Sequence, residues 1–317
     1  SIIDNDRTIG YLGALPDNCT DSNGDTSHFA WLSCFWVDEE YRERNIAAEL
    51  FMVMMQAWQN RLAITNIVPS LESVYGKMKL FAPVRRVSGT RYWFRLNMAT
   101  VLPPKHKVFR MLKPLLSAFD FVGNKVCGLL VKTRQNSDSQ YTTTITNTLD
   151  NTAKEFIEQN PTDSASRRGV AELDWILNYP WIKSSGDTEE AKKYYFSSLD
   201  TSFSQHIIMV SEGCRTVALM LVNRRRKCVS VPYLFTDSAN PNAARIAAEA
   251  LIGYCHDTKS DMLTVFNKEL CGEINLFPKK AIHQKEITRP YFLGKKVAPL
   301  LVEGMWFQDG DGDCVFC

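Results

Sequence analysis

The sequence predicts an α/β protein built from two domains in tandem. The chain has 317 residues, enough for two domains that each bury a core of their own. Its hydrophobic fraction of 45% and charged fraction of 23% are typical of folded globular proteins. Segments with strand and helix periodicity alternate along the chain, and their order in residues 8–98 recurs in the second half. A repeated order of this kind predicts two copies of one architecture.

The first hundred residues contain the clearest periodic segments. In residues 45–59 apolar side chains recur at steps of three and four, the spacing of one helix face. Residues 62–68 form a short, mostly apolar run, as expected of a strand buried beside a parallel neighbour. Predicted strands cover residues 8–16, 28–37, 62–68 and 91–98, and predicted helices cover 45–59 and 70–79.

The second half repeats this order of elements without repeating the residues. Predicted strands cover 141–149, 206–213, 215–223, 228–235, 261–267 and 283–293, and predicted helices cover 151–160, 167–182, 242–257 and 268–276. Two prolines precede an apolar helical segment at 107–132, which divides at Gly123 if it forms two helices. We predict a first domain at 1–99, a helical linker at 100–138, a second domain at 139–298 and a tail at 299–317. The first copy lacks the opening strand and helices of the second, so we expect it to be N-terminally incomplete.

Composition and charge exclude several classes of protein. The net charge is +2, so no overall basic field exists and no nucleic-acid partner is expected. No apolar run reaches the ~18 residues of a membrane span, and no span is expected. The nine cysteines show neither zinc spacing nor a pairing pattern, which indicates reduced thiols, a cytoplasmic location and no metal site. No GxSxG, Walker-type GK[ST] or GxGxxG pattern supports a hydrolase, a kinase or a nicotinamide enzyme.

The stretch VDEEYRERNIAAEL leads from a predicted strand, through a turn with two arginines, into a predicted helix. A helix N-terminus offers unpaired N–H groups and a partial positive charge, which together favour an anion. Arg42 and Arg44 would add charge-assisted contacts to a phosphate group. The alternative is a solvated turn in which these arginines pair with Glu39, Glu40 or Glu43.

In this order of elements, the stretch resembles the cofactor motif of the GCN5-related N-acetyltransferases, the GNAT superfamily. That motif has Arg or Gln, two residues, Gly, one residue, and then Gly or Ala, which here align with residues 42–47. Asn45 replaces the first glycine, and Asn tolerates the left-handed conformation best after Gly, so the turn can survive. A later Tyr-x-Lys-x-Gly-Phe element of the family resembles residues 75–80, with Lys79 in place of the glycine.

The resemblance implies two tandem GNAT-like domains, each a mixed central sheet flanked by helices. The second copy lacks the motif, so the first is expected to bind the acyl donor, acetyl-CoA. The tandem arrangement is similar to that of aminoacyl transferases of peptidoglycan synthesis and of myristoyltransferases. Backbone amides of residues 44–47 are the expected phosphate donors, and the strand end before the turn is expected to pair with the pantetheine arm. The implied cofactor-binding residues are Phe35, Trp36, Val37, Arg42, Arg44, Asn45, Ile46, Ala47 and Lys77.

The resemblance also implies roles in catalysis. Tyr75 is the expected general acid that protonates the leaving thiolate, and its alternative role is packing against its own helix. Glu39 is the candidate general base, with Asp38 and His28 as further candidates. Cys34 has aromatic neighbours that predict burial, so we expect direct transfer rather than an acyl-enzyme.

The implied reaction is N-acyl transfer to an amine of a small molecule or an amino sugar. One alternative is a catalytically inactive binding or scaffold protein of the same fold, because Asn45 and Lys79 depart from the motif. Another is an aminoacyl transferase, which should carry a basic groove for RNA that the even charge balance does not favour. The sequence leaves the acceptor and the oligomeric state open.

Asp309, Asp311 and Asp313 alternate near the C-terminus and resemble the start of a calcium loop. Cys314 stands where such a loop requires Gly, and the twelfth-position Glu is absent. We therefore expect a solvated or substrate-lining tail.

Two segments of the second half carry other polar or aromatic clusters. Trp175, Tyr179 and Trp181 lie close together at helix spacing, which favours core packing. The alternative for this aromatic group is an acceptor pocket, since aromatic faces suit stacking against sugar rings. Residues 223–227, NRRRK, are predicted to form the solvated tip of a hairpin between two strands, and the alternative is contact with a phosphorylated acceptor.

Overall fold

The computed structural model describes residues 1–20, 25–132, 141–162, 164–184, 199–277, 281–301 and 306–316. These residues form strands and helices in alternation, which confirms the predicted α/β class. The strands are β1 (Ile2–Asp4), β2 (Arg7–Thr20), β3 (Thr26–Val37), β4 (Leu62–Ile64), β5 (Arg85–Trp93), β6 (Tyr141–Thr146), β7 (Lys183–Ser184), β8 (Leu199–Asp200), β9 (Phe203–Glu212), β10 (Arg215–Arg225), β11 (Cys228–Thr236), β12 (Met262–Val265) and β13 (His283–Leu293).

The helices match the predicted ones closely at most positions. They are α1 (Ile46–Ala57), α2 (Pro69–Lys77), α3 (Met98–Val101), α4 (Lys107–Met111), α5 (Lys113–Lys132), α6 (Asn151–Gln159), α7 (Val170–Asn178), α8 (Ala243–Asp257) and α9 (Lys268–Leu276). The segment at 107–132 divides at Leu112 and not at Gly123. Pro114 explains this position, because proline has no N–H to donate and is tolerated only in the first turn of a helix.

The chain forms two compact units assembled from separate segments. Unit 1 comprises Ser1–Ser88, Ile157–Phe203 and Thr288–Cys317, and unit 2 comprises Gly89–Phe156 and Ser204–Ile287. The domain boundaries given from the sequence remain a prediction, since compactness alone does not show which segments fold together. In the described part of the chain, no helix is long and apolar enough to cross a membrane.

The sheet of unit 1 has the strand order β1-β2-β3-β4-β13. The β3–β4 pair is parallel, and the other pairs of this unit are antiparallel. All three residues of β4 are buried, as expected for a strand with neighbours on both edges. The sequence predicts that residues 91–98 close this half as a strand. Instead β13, from the end of the chain, pairs with β4, Phe292 lying opposite Ile64.

The sheet of unit 2 has the order β5-β12-β11-β10-β9-β6. Here β11 and β12 form the parallel pair, and β10 and β5 flank it in antiparallel directions. Tyr92 of β5 lies opposite Leu263 of β12. Each unit therefore contains an antiparallel meander, one parallel pair and one further antiparallel strand, which is a mixed sheet.

Strand β3 is buried on both faces, and its alternating side chains serve two separate cores of unit 1. Ala30 and Leu32 belong to a cluster with α1 and α2 residues. Phe29 and Trp31 belong to a second cluster on the opposite face, which includes Phe307 from the C-terminal segment. This follows from the two-residue period of a strand. It explains why residues 28–37 read as almost continuously apolar.

Gly294 provides a test of how tightly β4 is enclosed. A Cβ atom at this position would lie 2.7 Å from the Leu62 carbonyl oxygen and 2.9 Å from that of Asn60. Because these are backbone atoms, we expect Gly294→Ala to lower the free energy of unfolding by about 1–3 kcal/mol. Urea denaturation followed by circular dichroism measures this change.

Gly76→Ala is the matched control in the same unit. Gly76 lies in α2, and no heavy atom would approach its Cβ within 4 Å. Replacing a helical glycine by alanine is expected to stabilise the protein by about 0.5–1 kcal/mol. If both variants unfold at the same urea concentration as the parent, the enclosure of β4 described above is wrong.

Candidate functional site

A β-bulge interrupts the pairing of β2 and β3 near the end of β3. One residue of β2, Leu12, stands opposite two residues of β3, Cys34 and Phe35. Cys34 has a φ of 54°, in the left-handed region that residues other than Gly, Asn and Asp seldom adopt. Bulges and strained residues concentrate beside functional sites, where they re-aim backbone and side-chain groups. Cys34 is half-buried, whereas the sequence predicts burial.

Strand β3 extends beyond its parallel neighbour at the same point. The pairing of β3 with β4 joins Ala30 to Leu62 and Trp31 to Ala63, and β4 ends one residue later. β3 continues to Val37. Its last residues therefore lie where the sheet opens, which suits the binding of an extended group along a strand edge.

A single turn of 3₁₀ helix at Glu39–Tyr41 connects β3 to α1. Asp38 is buried and caps this turn, because its Oδ1 accepts a hydrogen bond from the Glu40 amide at 3.1 Å. The other carboxylate oxygen pairs with Arg7 at 2.5 Å. Asp38 thus holds the turn in place, and this contact explains its burial without a catalytic role.

Asn45 precedes α1 in the left-handed conformation, with φ 60° and ψ 9°. The expectation that Asn can occupy the glycine position of this turn is confirmed. Its side chain makes no capping hydrogen bond, and its carbonyl accepts the first helical bond from Glu49 at 3.0 Å. The helix therefore starts without a side-chain cap.

The first backbone amides of α1 have no helical carbonyl group to which they can donate a hydrogen bond. No described residue accepts a hydrogen bond from the amides of residues 45–48. The Arg44 amide donates to the Tyr41 carbonyl at 3.1 Å, so the expectation that it is a free donor is wrong. Four adjacent N–H groups at the positive end of a twelve-residue helix form a potential anion site.

Both arginines of the turn are exposed and contact side chains of the same turn. Arg42 pairs with Glu39 at 3.2 Å, and the Arg44 guanidinium lies 4.7 Å from the centre of the Tyr41 ring. The Arg42–Glu39 pair is one that the alternative, a solvated turn, describes, whereas the contact of Arg44 with Tyr41 is not. An exposed ion pair contributes only about 0–1 kcal/mol, so a phosphate group can replace Glu39 at small energetic cost.

Tyr75 lies on α2 and is only 6% exposed. The rings of Phe51, Phe81 and Phe292 surround it at centroid distances of 6.0–6.4 Å. Burial raises the pKa of the Tyr75 hydroxyl, which keeps its proton in place at neutral pH. These rings lie outside α2, so Tyr75 packs against other elements and not against its own helix, and its role as general acid remains a prediction.

Glu39, the candidate general base, and Lys77, a candidate cofactor ligand, have exposed side chains. Glu39 contacts Arg42 as described, and Lys77 is the last residue of α2. Within the described residues, no hydrogen bond or ion pair joins either of them to Tyr75. Their roles as base and cofactor ligand therefore also remain predictions.

The C-terminal segment packs against the bulged strand. The Ser33 hydroxyl donates to the Asp313 carboxylate at 2.6 Å, directly beside Cys34. Gly312, with a φ of 80°, leaves no room for a side chain, because a Cβ would approach Thr65 Cγ2 to 2.8 Å. Residues 307–312 are buried, so the tail is not solvated there, and the substrate-lining alternative remains a prediction.

The three alternating aspartates of this segment have three different partners. Asp309 pairs with Arg289 at 2.6 Å, Asp311 accepts from the Ser166 hydroxyl, and Asp313 accepts from Ser33. Their carboxylates therefore do not converge as calcium ligands would. The described residues contain no group of three or more His, Cys, Asp or Glu side chains arranged to hold a metal.

The aromatic cluster of the second half is not core. Trp175 and Tyr179 are both exposed, and their rings lie 5.9 Å apart. The core prediction is therefore wrong, and the acceptor pocket remains a prediction. The hairpin predicted at 223–227 is present, but its exposed tip is Arg226 and Lys227 only, because residues 223–225 belong to β10 and Asn223 is buried.

Sequence reasoning missed two features of this site, the bulge at Cys34 and the contact of Asp313 with Ser33. The bulge has no sequence signal, since cysteine rarely adopts positive φ. Gly312 was a signal for the tail, because a glycine between aspartates often marks a turn.

The chain is similar in fold to several solved structures. A GCN5-related N-acetyltransferase from Anabaena variabilis matches at TM-score 0.49 and 10% identity, over 91% of this chain and 60% of that one. The N-myristoyltransferase of Saccharomyces cerevisiae with bound myristoyl-CoA matches at TM-score 0.45 and 10% identity, over 90% and 63%. Eis1 from Mycobacterium abscessus matches at TM-score 0.43 and 12% identity, over 92% and 63%.

The chain thus spans about 60% of the length of the solved structures that it matches first. GCN5-related N-acetyltransferases are among these structures. No protein-family model matches the chain, and no curated protein sequence matches it.

Asp311 predicts a pH dependence of stability. Burial raises its pKa from 3.8 to about 6. Between these values the folded state binds more protons than the unfolded state, so the free energy of unfolding falls as pH rises from 4 to 6. The contribution of Asp311 is at most about 3 kcal/mol. Urea denaturation at half-unit pH steps measures it.

Asp311→Asn should make the fall in the free energy of unfolding between pH 4 and 6 less steep, because the amide does not titrate, whereas Asp17 and Asp309 still do. Asp6→Asn, which alters an exposed carboxylate of the same unit, should leave the curve unchanged. Equal slopes for Asp311→Asn and the parent protein would show that Asp311 does not titrate in this range.

Proposed function

We propose that this chain is an acyl-CoA-dependent N-acyltransferase of GNAT type, with acetyl-CoA as the donor. The acceptor is an amine of a small molecule or an amino sugar. The observation that carries the proposal is the start of α1 in unit 1. Asn45 is left-handed there, and the amides of residues 45–48 donate to no described residue. Cys34, Cys214, Cys228 and Cys255 are free thiols, which fits a reducing compartment, the cytoplasm.

The N-terminal turn of α1 would hold the diphosphate of coenzyme A. Its free amides and the helix dipole attract anions without any particular side chain. Arg42 and Arg44 would exchange their contacts with Glu39 and Tyr41 for charge-assisted hydrogen bonds to phosphate oxygens. Phosphate binding would explain why two exposed guanidinium groups lie at the N-terminus of a mostly apolar helix.

The end of β3 would bind the pantetheine arm. This arm contains amide groups, and the backbone of Phe35, Trp36 and Val37 can pair with them in the manner of an added strand. The bulge at Cys34 lies where β3 extends past β4, so it sets the direction in which this backbone leaves the sheet. Lys77 would contribute positive charge from the end of α2.

The reaction would be a direct transfer. The acceptor nitrogen attacks the thioester carbonyl, the C–N bond forms and the C–S bond breaks. Glu39 takes the proton from the amine, and Tyr75, whose pKa is raised by burial, gives its proton to the departing thiolate. Positioning and an N–H contact to the carbonyl oxygen would supply most of the rate enhancement.

One specific observation favours a second candidate, a catalytically inactive binding protein of the same fold. Tyr75 is packed among three phenylalanine rings, and Glu39 is paired with Arg42. Binding of coenzyme A without transfer to any amine in a panel of amino sugars and small amines would support this candidate over the enzyme.

Isothermal titration with acetyl-CoA and with desulfo-CoA tests the phosphate site. We expect micromolar binding of both by the parent protein. Arg42→Ala with Arg44→Ala should weaken binding by at least about tenfold, because two charge-assisted contacts are lost. Lys295→Ala with Lys296→Ala removes the same charge from exposed positions of the same unit and should bind as the parent does. Absence of heat with either compound would overturn the proposal.

Asn45 gives a conformational test of the same site. Asn45→Gly should preserve binding of desulfo-CoA, because glycine adopts the left-handed conformation freely. Asn45→Val should weaken binding by about tenfold, since a branched side chain disfavours this conformation by about 1–2 kcal/mol. Equal affinities for the two variants, measured by titration, would show that the turn does not shape the site.

A further inference from the structure

Helices α4 and α5 of unit 2 carry a long apolar stripe on their exposed side. Met111 is 83% exposed and Leu115 is 66% exposed, which is unusual for large apolar side chains in a folded protein. Within α5 the members recur at the spacing of one helix face, and from Leu115 to Val126 they extend over about 17 Å, at 1.5 Å per residue. This apolar stripe consists of Val108, Met111, Leu112, Leu115, Phe119, Val122 and Val126.

Polar contacts fix the opposite side of α5 to the rest of unit 2. The Asn124 side chain accepts from the Leu96 amide at 2.8 Å and donates to its carbonyl at 2.9 Å. Asp120 is buried and accepts hydrogen bonds from the amides of Met98 and Ala99, at 3.0 and 2.8 Å, at the start of α3. A surface helix normally buries its apolar side. On α5 these polar contacts, beside the half-buried Leu116 and Gly123, hold the apolar stripe outward.

Basic side chains surround the apolar stripe. The only carboxylate in residues 101–126 is Asp120, which is buried and bonded to α3. The Lys125 ammonium lies 4.6 Å from the centre of the Phe121 ring, at the border of the apolar stripe. The exposed basic residues of this segment are Lys105, Lys107, Arg110, Lys113 and Lys125.

This local charge is not a property of the chain as a whole. The segment has five basic residues and one acidic residue, an excess of four, whereas the whole chain has 37 and 35, an excess of two. A single sign of charge is thus concentrated around the apolar stripe. An extended anionic surface complements this arrangement better than a protein groove of mixed charge.

We propose that α4 and α5 dock on an anionic lipid bilayer, with their axes in the plane of the membrane. The apolar stripe would enter the boundary between headgroups and acyl chains, and the surrounding lysines and arginine would contact lipid phosphates. The helices would lie on the bilayer and not cross it. This surface belongs to unit 2 and is independent of the function proposed for unit 1.

Sedimentation of the full chain with lipid vesicles tests the proposal. Vesicles of phosphatidylcholine with phosphatidylglycerol should bind the parent protein, and vesicles of phosphatidylcholine alone should bind it at least about tenfold more weakly. Binding to the anionic vesicles should fall as salt is raised, because the Debye length shortens. Equal binding to both kinds of vesicle, or no binding to either, would overturn the proposal.

Leu115→Ser with Phe119→Ser removes two members of the apolar stripe and should weaken binding by about tenfold or more. Leu276→Ser with Ile282→Ser is the matched control, because it removes two exposed apolar side chains of the same unit outside the apolar stripe. The control should bind as the parent does. Circular dichroism confirms that each variant is folded. Equal loss in the two variants would overturn the proposal.

Lys107→Glu with Lys125→Glu keeps the apolar stripe and reverses two flanking charges. It should weaken binding to anionic vesicles and reduce its dependence on salt. This variant also decides the matter if Leu115→Ser with Phe119→Ser does not fold. Sedimentation equilibrium provides the remaining arm. A dimer that Leu115→Ser with Phe119→Ser converts to a monomer, without vesicle binding by the parent, would assign the apolar stripe to a second copy and overturn the proposal.

Discussion

The candidate site of unit 1 depends on the short parallel pairing of β3 and β4. Two residue pairs join these strands, and β4 ends after three buried residues. β3 continues to Val37 with β2 as its remaining neighbour, bulges at Cys34 and then leads through Asn45 into α1. Because the strands separate, the end of β3 and the first amides of α1 are free to meet a ligand. A longer β4 would pair with the end of β3 and close this edge of the sheet.

Burial of the C-terminal segment places several carboxylates in surroundings that disfavour their charge. Burial raises the pKa of Asp309 although Arg289 lowers it, and it raises the pKa of Asp17 although Arg168 lowers it. Desolvation therefore exceeds ion pairing at both positions, as is common for buried pairs. In return, the segment completes the core around Trp31 and supports the bulged strand through Asp313. Strain and desolvation thus lie together beside the opening between β3 and β4.

The surfaces of the two units contrast in charge and polarity. Three exposed arginines lie at the turn before α1: Arg42 and Arg44 belong to it, and Arg7 reaches it from the start of β2. Arg7 and Arg42 pair with nearby carboxylates. The face formed by α4 and α5 has basic groups without exposed acidic partners, beside a continuous apolar stripe. The first arrangement suits a small anion that displaces weak ion pairs. The second arrangement suits a broad anionic surface with an apolar interior, such as an anionic lipid bilayer.

The sequence alone determined the kind and position of most elements. Helix α9 and strand β13 have the predicted bounds, and Asn45 adopts the left-handed conformation expected of it. Helix periodicity, strand alternation and turn chemistry depend on neighbours within a few residues, so a local pattern suffices. The tertiary structure decided that β13 pairs with β4, that Asp313 reaches Ser33, and that the apolar side of α5 faces outward. The first two join residues more than two hundred positions apart, and the third depends on which side of a helix finds partners. Desolvation and long-range pairing settle such contacts, and no local pattern of residues encodes them.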